Sequence, residues 1–502
     1  MDRLALALAT ERSGGQKPTE EALRRARRDV LRHSIYGVDK DAFAVELCKV
    51  ALWIHCAVPD LPLSFLDHRI QHGDSLVGWP LLDIPTEIPE EAYKVPSKVN
   101  SSRRPEDRRL KAFLRAAAAC NREVLEELRG ERFSFTPPMP DVAVDFPAIL
   151  EEDERIPADV ERKEAAYRAF LASEAYRRFE AAANLWAASF FWSPEAGAEA
   201  PTTADYRRAL AGEIDAAQAE AARTLLAEFP AFHWPLRFPE IRARGGFDAI
   251  VGNPPWEQFE SREQEWFAAH APHIARLKGA ERKRAIEALR ESDPALYRRW
   301  KIYEALNQRM GDYVRACGRF TASGGKPNTY LLFAETAADM LREDLPAATR
   351  VAQAGGRAGI LVKSALALDK SASALFNNLV EAGQVEEFHD FVNAFRRAPM
   401  FPAVAAVERF ALLALRGEAA TSEFRATVMN AGVDEAVSHA PQVFDAEVLT
   451  VLSPKTRTLT SFRRPEELAI ALELHRRWPI LDFEQGGENP WGLGYCTLFH
   501  SS

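Results

Sequence analysis

Gly246-Phe247-Asp248-Ala249-Ile250-Val251-Gly252-Asn253-Pro254-Pro255-Trp256 is the stretch on which the reading of this 502-residue chain turns. Phe247 to Val251 is a short apolar run with β-branched residues, which predicts a buried strand. It stops at a glycine, and the two prolines beyond have no N–H to give to a ladder. Asn253 is thereby set just past a strand's carboxyl end. In open parallel α/β sheets, ligands bind along that edge.

Asn253 carries a side-chain oxygen that accepts hydrogen bonds. The main-chain carbonyl of Pro254 is a second acceptor, fixed in direction because a residue before proline is held extended. Trp256 adds a flat face, and stacking on such a face is worth about 1 to 3 kcal/mol per base. Two acceptors and a platform within four residues suit an exocyclic amine such as that of adenine. Its nitrogen is a poor nucleophile because the lone pair is delocalised into the ring. Accepting hydrogen bonds from both of its protons pulls it towards tetrahedral geometry. The tetrapeptide alone also fits a plain Pro-Pro loop after a buried strand, and the neighbouring stretches separate the two readings.

Asn253-Pro254-Pro255-Trp256 after an apolar strand resembles the catalytic motif of the amino-methyltransferases, above all the N6-adenine DNA methyltransferases. The resemblance implies an α/β fold with a Rossmann-like class I methyltransferase sheet, S-adenosylmethionine as methyl donor, duplex DNA with a flipped adenine as substrate, and these four residues as the catalytic set.

Earlier in the chain, residues 18 to 33 predict a helix capped by Thr19, with basic residues late in it. Ser34 to Asp41 predicts a short strand ending in an acid, followed by a helix from Ala42 to His55. Ile70 to His72 predicts a second brief strand, ending in Gly73-Asp74. Two acids at consecutive strand ends are what an adenosine-binding half-sheet needs. Asp39 fits the ribose hydroxyls and Asp74 the amine of the cofactor's adenine. Each is also a plausible turn or cap aspartate. Their order ahead of Asn253 favours the cofactor reading. Ile35-Tyr36-Gly37-Val38-Asp39, Ala44 to Trp53, Pro62 to His68 and Gly73-Asp74-Ser75-Leu76 resemble the large adenine methyltransferases of fused restriction-modification enzymes and of BREX- and DISARM-type phage defence. Companion restriction or defence subunits are expected partners on that resemblance.

Length sets a prior of two or three domains. Residues 1–80 read as a partial cofactor-binding half and 81–244 as a helical insertion rich in Ala, Glu and Arg. Residues 245–415 read as the catalytic half, with a second helical insertion at 257–318. Residues 416–502 read as the start of a target-recognition region. Gly359 to Ser364, Val385 to Val392 and Arg409 to Leu415 predict strands of the catalytic half, and Leu331 to Leu341 and Ser371 to Glu381 its helices. In the resembling family, proline more often stands where Lys363 does, and Phe-Glu-Asn where Phe391-Val392-Asn393 does.

The net charge of -9 provides no global basic field, so DNA contact must come from local patches. Glu281-Arg282-Lys283-Arg284 and Arg298-Arg299-Trp300-Lys301 are the better candidates. Arg103-Arg104, Arg108-Arg109 and Lys111 read as a solvated helix face. Cys48, Cys56, Cys120, Cys317 and Cys496 have no metal-ligand spacing and read as reduced thiols. Pro140-Asp141 with Glu161-Arg162-Lys163 matches a loose nuclease pattern, but Glu161 to Lys163 fall in a predicted helix instead of a strand. Ser323-Gly324-Gly325-Lys326 lacks the spacing of a nucleotide loop. No apolar run is long enough to span a bilayer and no secretory start is present, so a cytoplasmic protein with no membrane partner is expected.

One element of the family is missing. An aromatic-x-Gly-x-Gly loop after a first strand should precede Asp39, to admit the methionine end of the cofactor. The expectation is therefore a half-built cofactor site, in a fragment or start-truncated chain whose first strand is lost or supplied by another polypeptide. Two other functions compete. A non-catalytic DNA-binding or scaffold subunit would not require the Asn253 to Trp256 spacing. Glutamine-amide methyltransferases carry a similar motif but are compact, without long helical insertions.

Overall fold

The computed structural model describes residues 1–130, 153–324, 327–343, 355–393, 399–402, 404–419 and 422–478. The chain divides into two compact units, Met1–Gly246 with Phe259–Phe320, and Phe247–Gln258 with Thr321–Ser502.

The first unit opens with two helices, α1 (Asp2–Arg12) and α2 (Glu20–Ser34). The hydroxyl of Thr19 accepts from the Ala22 amide, and Glu20 and Glu21 sit in the first turn with Arg32 and His33 in the last, as the helix dipole favours. Strand β1 (Gly37–Asp39) follows, then helix α3 (Ala42–Cys56), capped by the carboxylate of Asp41 on the Phe43 amide at 2.9 Å. Strand β2 (Ile70–His72) lies parallel to β1, with Gly37 opposite Ile70, Val38 opposite Gln71 and Asp39 opposite His72. Parallel neighbours need a crossover, and α3 supplies it. Its Val45 and Cys56 pack with Leu31, Leu66 and Ile70.

Beyond β2 the first unit is helical. Pro105–Gly130 forms one long helix. The run expected from Asp159 to Trp192 is two helices, Pro157–Ala172 and Glu174–Ser189. The chain is extended at Ser173, whose hydroxyl caps the second helix on the Tyr176 amide. The next run is likewise divided, into Thr203–Ala211 and Ala216–Leu226. It breaks at Gly212, where φ is 101° and glycine is the residue that carries no steric cost. Glu161 to Lys163 lie within Pro157–Ala172. Pro140-Asp141, Gly325-Lys326 and Cys496 lie outside the described residues.

The helix Pro294–Ala316 belongs to the same unit. Its Tyr313 is buried against Phe190 and Phe191, and its hydroxyl accepts from the Gly78 amide at 3.1 Å.

The second unit is built on a six-stranded mixed sheet of β3 (Ala249–Gly252), β4 (Arg357–Lys363), β5 (Val385–Val392), β6 (Arg409–Arg416), β7 (Phe424–Asn430) and β8 (Gln442–Phe444), in the order β3-β4-β6-β5-β7-β8. β3 runs parallel to β4 and β5 parallel to β7; the other pairs are antiparallel. Ile360, Val362, Phe388, Leu413 and Leu415 form the core with Leu331, Leu375, Phe376 and Leu379 from the helices Thr329–Asp339 and Ser373–Glu381. Residues beyond Arg416 add β7 and β8 to this same sheet, followed by helices Ala446–Leu452 and Pro465–Arg477.

One expectation is corrected. The apolar run at Phe247 to Val251 was expected to be a buried strand, yet Ala249, Val251 and Gly252 of β3 are exposed, Val251 by 89%. The reason is position: β3 is an edge of the sheet, paired through β4 alone. Its start is held firmly. Phe247 donates to the Met340 carbonyl at 2.8 Å and accepts from the Arg342 amide, whose own carbonyl accepts from Gly356 at 2.7 Å. These backbones approach so closely that a Cβ on Gly356 would lie 2.2 Å from the Phe247 oxygen.

Candidate functional site

The two acids and the tetrapeptide fall in different units, and each group has its own local geometry. Asp39 ends β1 and Asp74 follows β2 by two residues. The strand pairing brings them to one edge: the Asp39 carbonyl accepts from the Gly73 amide at 2.9 Å, one residue before Asp74. Asp39 is exposed, and its Oδ1 accepts from the Asp41 amide at 2.8 Å, a turn that fixes the carboxylate and leads into α3. Asp74 is half-buried. Its amide donates to the Pro230 carbonyl at 2.6 Å and its Oδ1 accepts from Leu76 at 3.0 Å. Burial pushes the Asp74 carboxyl above the ordinary aspartate range, against the Leu76 hydrogen bond, which lowers it. Gly73 takes a φ of 157°, and a Cβ there would meet the Phe232 ring at 2.8 Å, so the approach to Asp74 is closed to larger residues. Two carboxylate acceptors on adjacent strand ends match the donors of an adenosine, namely ribose hydroxyls and an exocyclic amine.

In the second unit, Asn253 stands directly after β3 with an exposed side chain, and among the described residues nothing hydrogen-bonds to its amide group. Pro254 is half-buried and Pro255 exposed. The loop is fixed just beyond by Thr329, a residue that sequence reading passed over. The Thr329 hydroxyl donates to the Pro255 carbonyl at 2.5 Å and accepts from the Glu257 amide at 3.0 Å; the Thr329 amide donates to the Glu257 carbonyl at 2.8 Å. Thr329 opens the helix Thr329–Asp339, which Asn328 caps on the Tyr330 amide. A signal was present in the Asn328-Thr329-Tyr330 start, where a hydroxyl sits between a cap and an apolar helix.

Trp256 is half-buried, and its indole N–H donates to the Leu361 carbonyl on β4 at 3.4 Å. It packs against a cluster of Phe391 and Phe410, whose rings stack at 5.3 Å, with Leu361, Met400 and Phe401. The ammonium of Lys363 lies 6.0 Å from the Trp256 ring centre and pairs with Glu408 at 3.2 Å. One part of the ring is thus anchored to the sheet, and a cation sits over it.

Below Lys363 a buried acid ties four strands together. Asp390, on β5, accepts from Ser364 and Arg409 and from the Met429 amide at 2.8 Å, and its own carbonyl accepts from Asn430 at 2.8 Å. Met429 takes a φ of 57° to make this bond, a left-handed conformation that a non-glycine residue holds only when its surroundings enforce it. Asn393, next to β5, donates to the Phe401 and Val404 carbonyls at 3.1 Å and so secures the loop carrying Phe401.

Residues 33–284, just over half of the chain, match the family described as Eco57I restriction-modification methylase. The chain belongs to that family. The match takes in Asp39, Asp74 and Asn253 to Trp256. Three solved structures are similar to this restriction-modification methylase family member at low identity. The methyltransferase subunit of a type I restriction-modification system from Streptococcus thermophilus is 11% identical over 52% of this chain and 39% of that one, with a TM-score of 0.20. A modification subunit assigned to a type I restriction enzyme of Vibrio vulnificus YJ016 is 11% identical over 71% and 66%, at 0.26. The DrdV–DNA complex is 14% identical over 53% and 22%, at 0.22. The chain thus spans about two fifths of the first of these and about a fifth of the last. No curated protein matches the sequence significantly. No helix among the described residues is long and apolar enough to cross a membrane.

Proposed function

We propose that this chain carries the amine-holding and adenosine-binding residues of an S-adenosylmethionine-dependent DNA methyltransferase acting on N6 of adenine, in restriction-modification or in phage defence of the BREX or DISARM kind. The observation that carries this reading is Asn253: an exposed acceptor with no partner among the described residues, held directly after β3 by a loop that Thr329 fixes.

An adenine turned out of the duplex gives its two amine protons to Asn253 Oδ1 and the Pro254 carbonyl. Its lone pair is then localised and points away from the ring. S-adenosylmethionine, when bound, supplies an electrophilic methyl group on its sulfonium. The nitrogen lone pair forms the new bond to carbon, and the surplus proton leaves to solvent. The base lies on the exposed part of Trp256, whose hydrogen bond to Leu361 keeps the ring still. Asp39 accepts from the cofactor's ribose and Asp74 from its adenine amine. Lys283, Arg284, Arg298 and Arg299 are exposed and available to DNA phosphates, which would make binding weaken steeply with salt. Companion restriction or defence subunits complete the system.

Calorimetric titration with S-adenosylmethionine tests the cofactor part of this reading. Saturable heat from the chain and none from Asp74→Ala, with unchanged circular dichroism, is expected. The same heat from both proteins would remove Asp74 from the site.

A further inference from the structure

Helix α3 is apolar on two opposite faces. Val45, Lys49 and Cys56 are buried on the inner one, towards Leu31, Leu66 and Ile70. On the outer one, Phe43, Leu47, Val50 and Ile54 are 75%, 58%, 44% and 75% exposed. Their spacing of four, three and four residues is that of a helix–helix seam, and they form one line about 16 Å long. A helix that is apolar all round is ordinarily covered on all sides. A contiguous apolar line of this size marks an interaction surface.

The charges around the stripe narrow the occupant. Glu46, Lys49 and His55 are the charged or titratable residues of α3. Lys49 is held by Glu46 at 2.7 Å and Asp67 at 2.6 Å, and His55 by Asp2 at 3.1 Å. The stripe therefore offers no free cation to a phosphate backbone and no free acid to a basic partner; it asks for an apolar helix. It is also self-complementary. Under a two-fold axis through the middle of α3, Phe43 lies opposite Ile54 of the second copy and Leu47 opposite Val50, a large residue against a β-branched one at each level. Glu46 then falls beside Ala51 of the second copy, so no like charges meet.

We propose that α3 pairs antiparallel with α3 of a second copy of this chain, with Phe43, Leu47, Val50 and Ile54 as the centre of the interface. A stable dimer buries about 800 Å² on each partner, so the stripe is the core of the contact and neighbouring surface of the first unit forms its rim. This pairing is independent of the methyltransferase reading, and its test needs neither cofactor nor DNA.

Sedimentation equilibrium of the full chain over a roughly hundredfold concentration range should show the mass rising from one copy to two. Leu47→Glu/Val50→Glu should remain a single copy throughout, with the wild-type circular dichroism, since both side chains are exposed. In a Cys48→Ser background, Leu47→Cys mixed with Val50→Cys should form an interchain disulfide that neither variant forms alone. A single-copy mass at every concentration overturns the proposal, and so does a dimer that the double glutamate variant leaves intact. Cross-linking of Leu47→Cys to itself overturns the antiparallel arrangement.

Discussion

Asn253 is where chemistry and structure separate most cleanly, because its side chain is exposed and supports nothing around it. Asn253→Ala should leave the melting temperature unchanged while lowering methyl transfer by roughly a hundredfold or more, the scale of losing one positioned hydrogen-bonding group at a reacting centre. Thr329→Val keeps the shape but removes the hydroxyl that bridges Pro255 and Glu257. It should cost about 1 to 3 kcal/mol, read by denaturant unfolding, because two loop groups lose their partner. Asp74 gives a pH prediction. Its carboxyl is raised by burial, so the fold favours the protonated form: folding stability is fullest below the ordinary aspartate value and declines as pH rises through the raised one. A cofactor amine needs the carboxylate, so affinity runs the other way, full above the raised value and lost as pH falls through it. Titrations at descending pH should show that loss beginning above the ordinary aspartate value, and not in Asp74→Asn. These residues differ in how legible they were. Asn253, Asp39 and Asp74 stand in local runs that announce a strand end. Thr329 acts on Pro255 from 74 residues away, and no periodicity carries that. The same distance hid the anchoring of Trp256 to Leu361.

Elements were read well where a short apolar run was bounded by turn residues, as in Ile70–His72 and Val385–Val392. They were misjudged where tertiary placement decides. β3 has a buried strand's composition and an edge strand's exposure, because the sheet has no neighbour for it beyond β4. Long helical runs were divided at Ser173 and Gly212, where a cap and a left-handed glycine outweigh a continuous pattern. At the foot of β3, Gly356 is the element-level test. A methyl group there meets the Phe247 carbonyl, a backbone atom that cannot turn aside. Gly356→Ala should destabilise the second unit by about 1 to 3 kcal/mol, as overpacking does, and a shift in its unfolding midpoint measures it.

At the scale of the whole molecule, the first unit is tied by a buried ionic cluster. The Glu154 carboxylate is fully buried and bonds Lys163 at 3.0 Å, Arg32 at 3.2 Å and Arg28 at 3.5 Å, joining α2 to the helix Pro157–Ala172. Glu154→Ala leaves three buried cations without their acid and should cost about 3 to 5 kcal/mol, seen as an early loss of helical signal on heating. The central claim is tested most directly by incubating the chain with S-adenosylmethionine and duplex DNA, digesting the DNA and measuring its nucleosides by mass spectrometry. The account predicts N6-methyladenine from the wild-type chain and none from Asn253→Ala. Methyl groups on cytosine, or equal N6-methyladenine from both proteins, would contradict it.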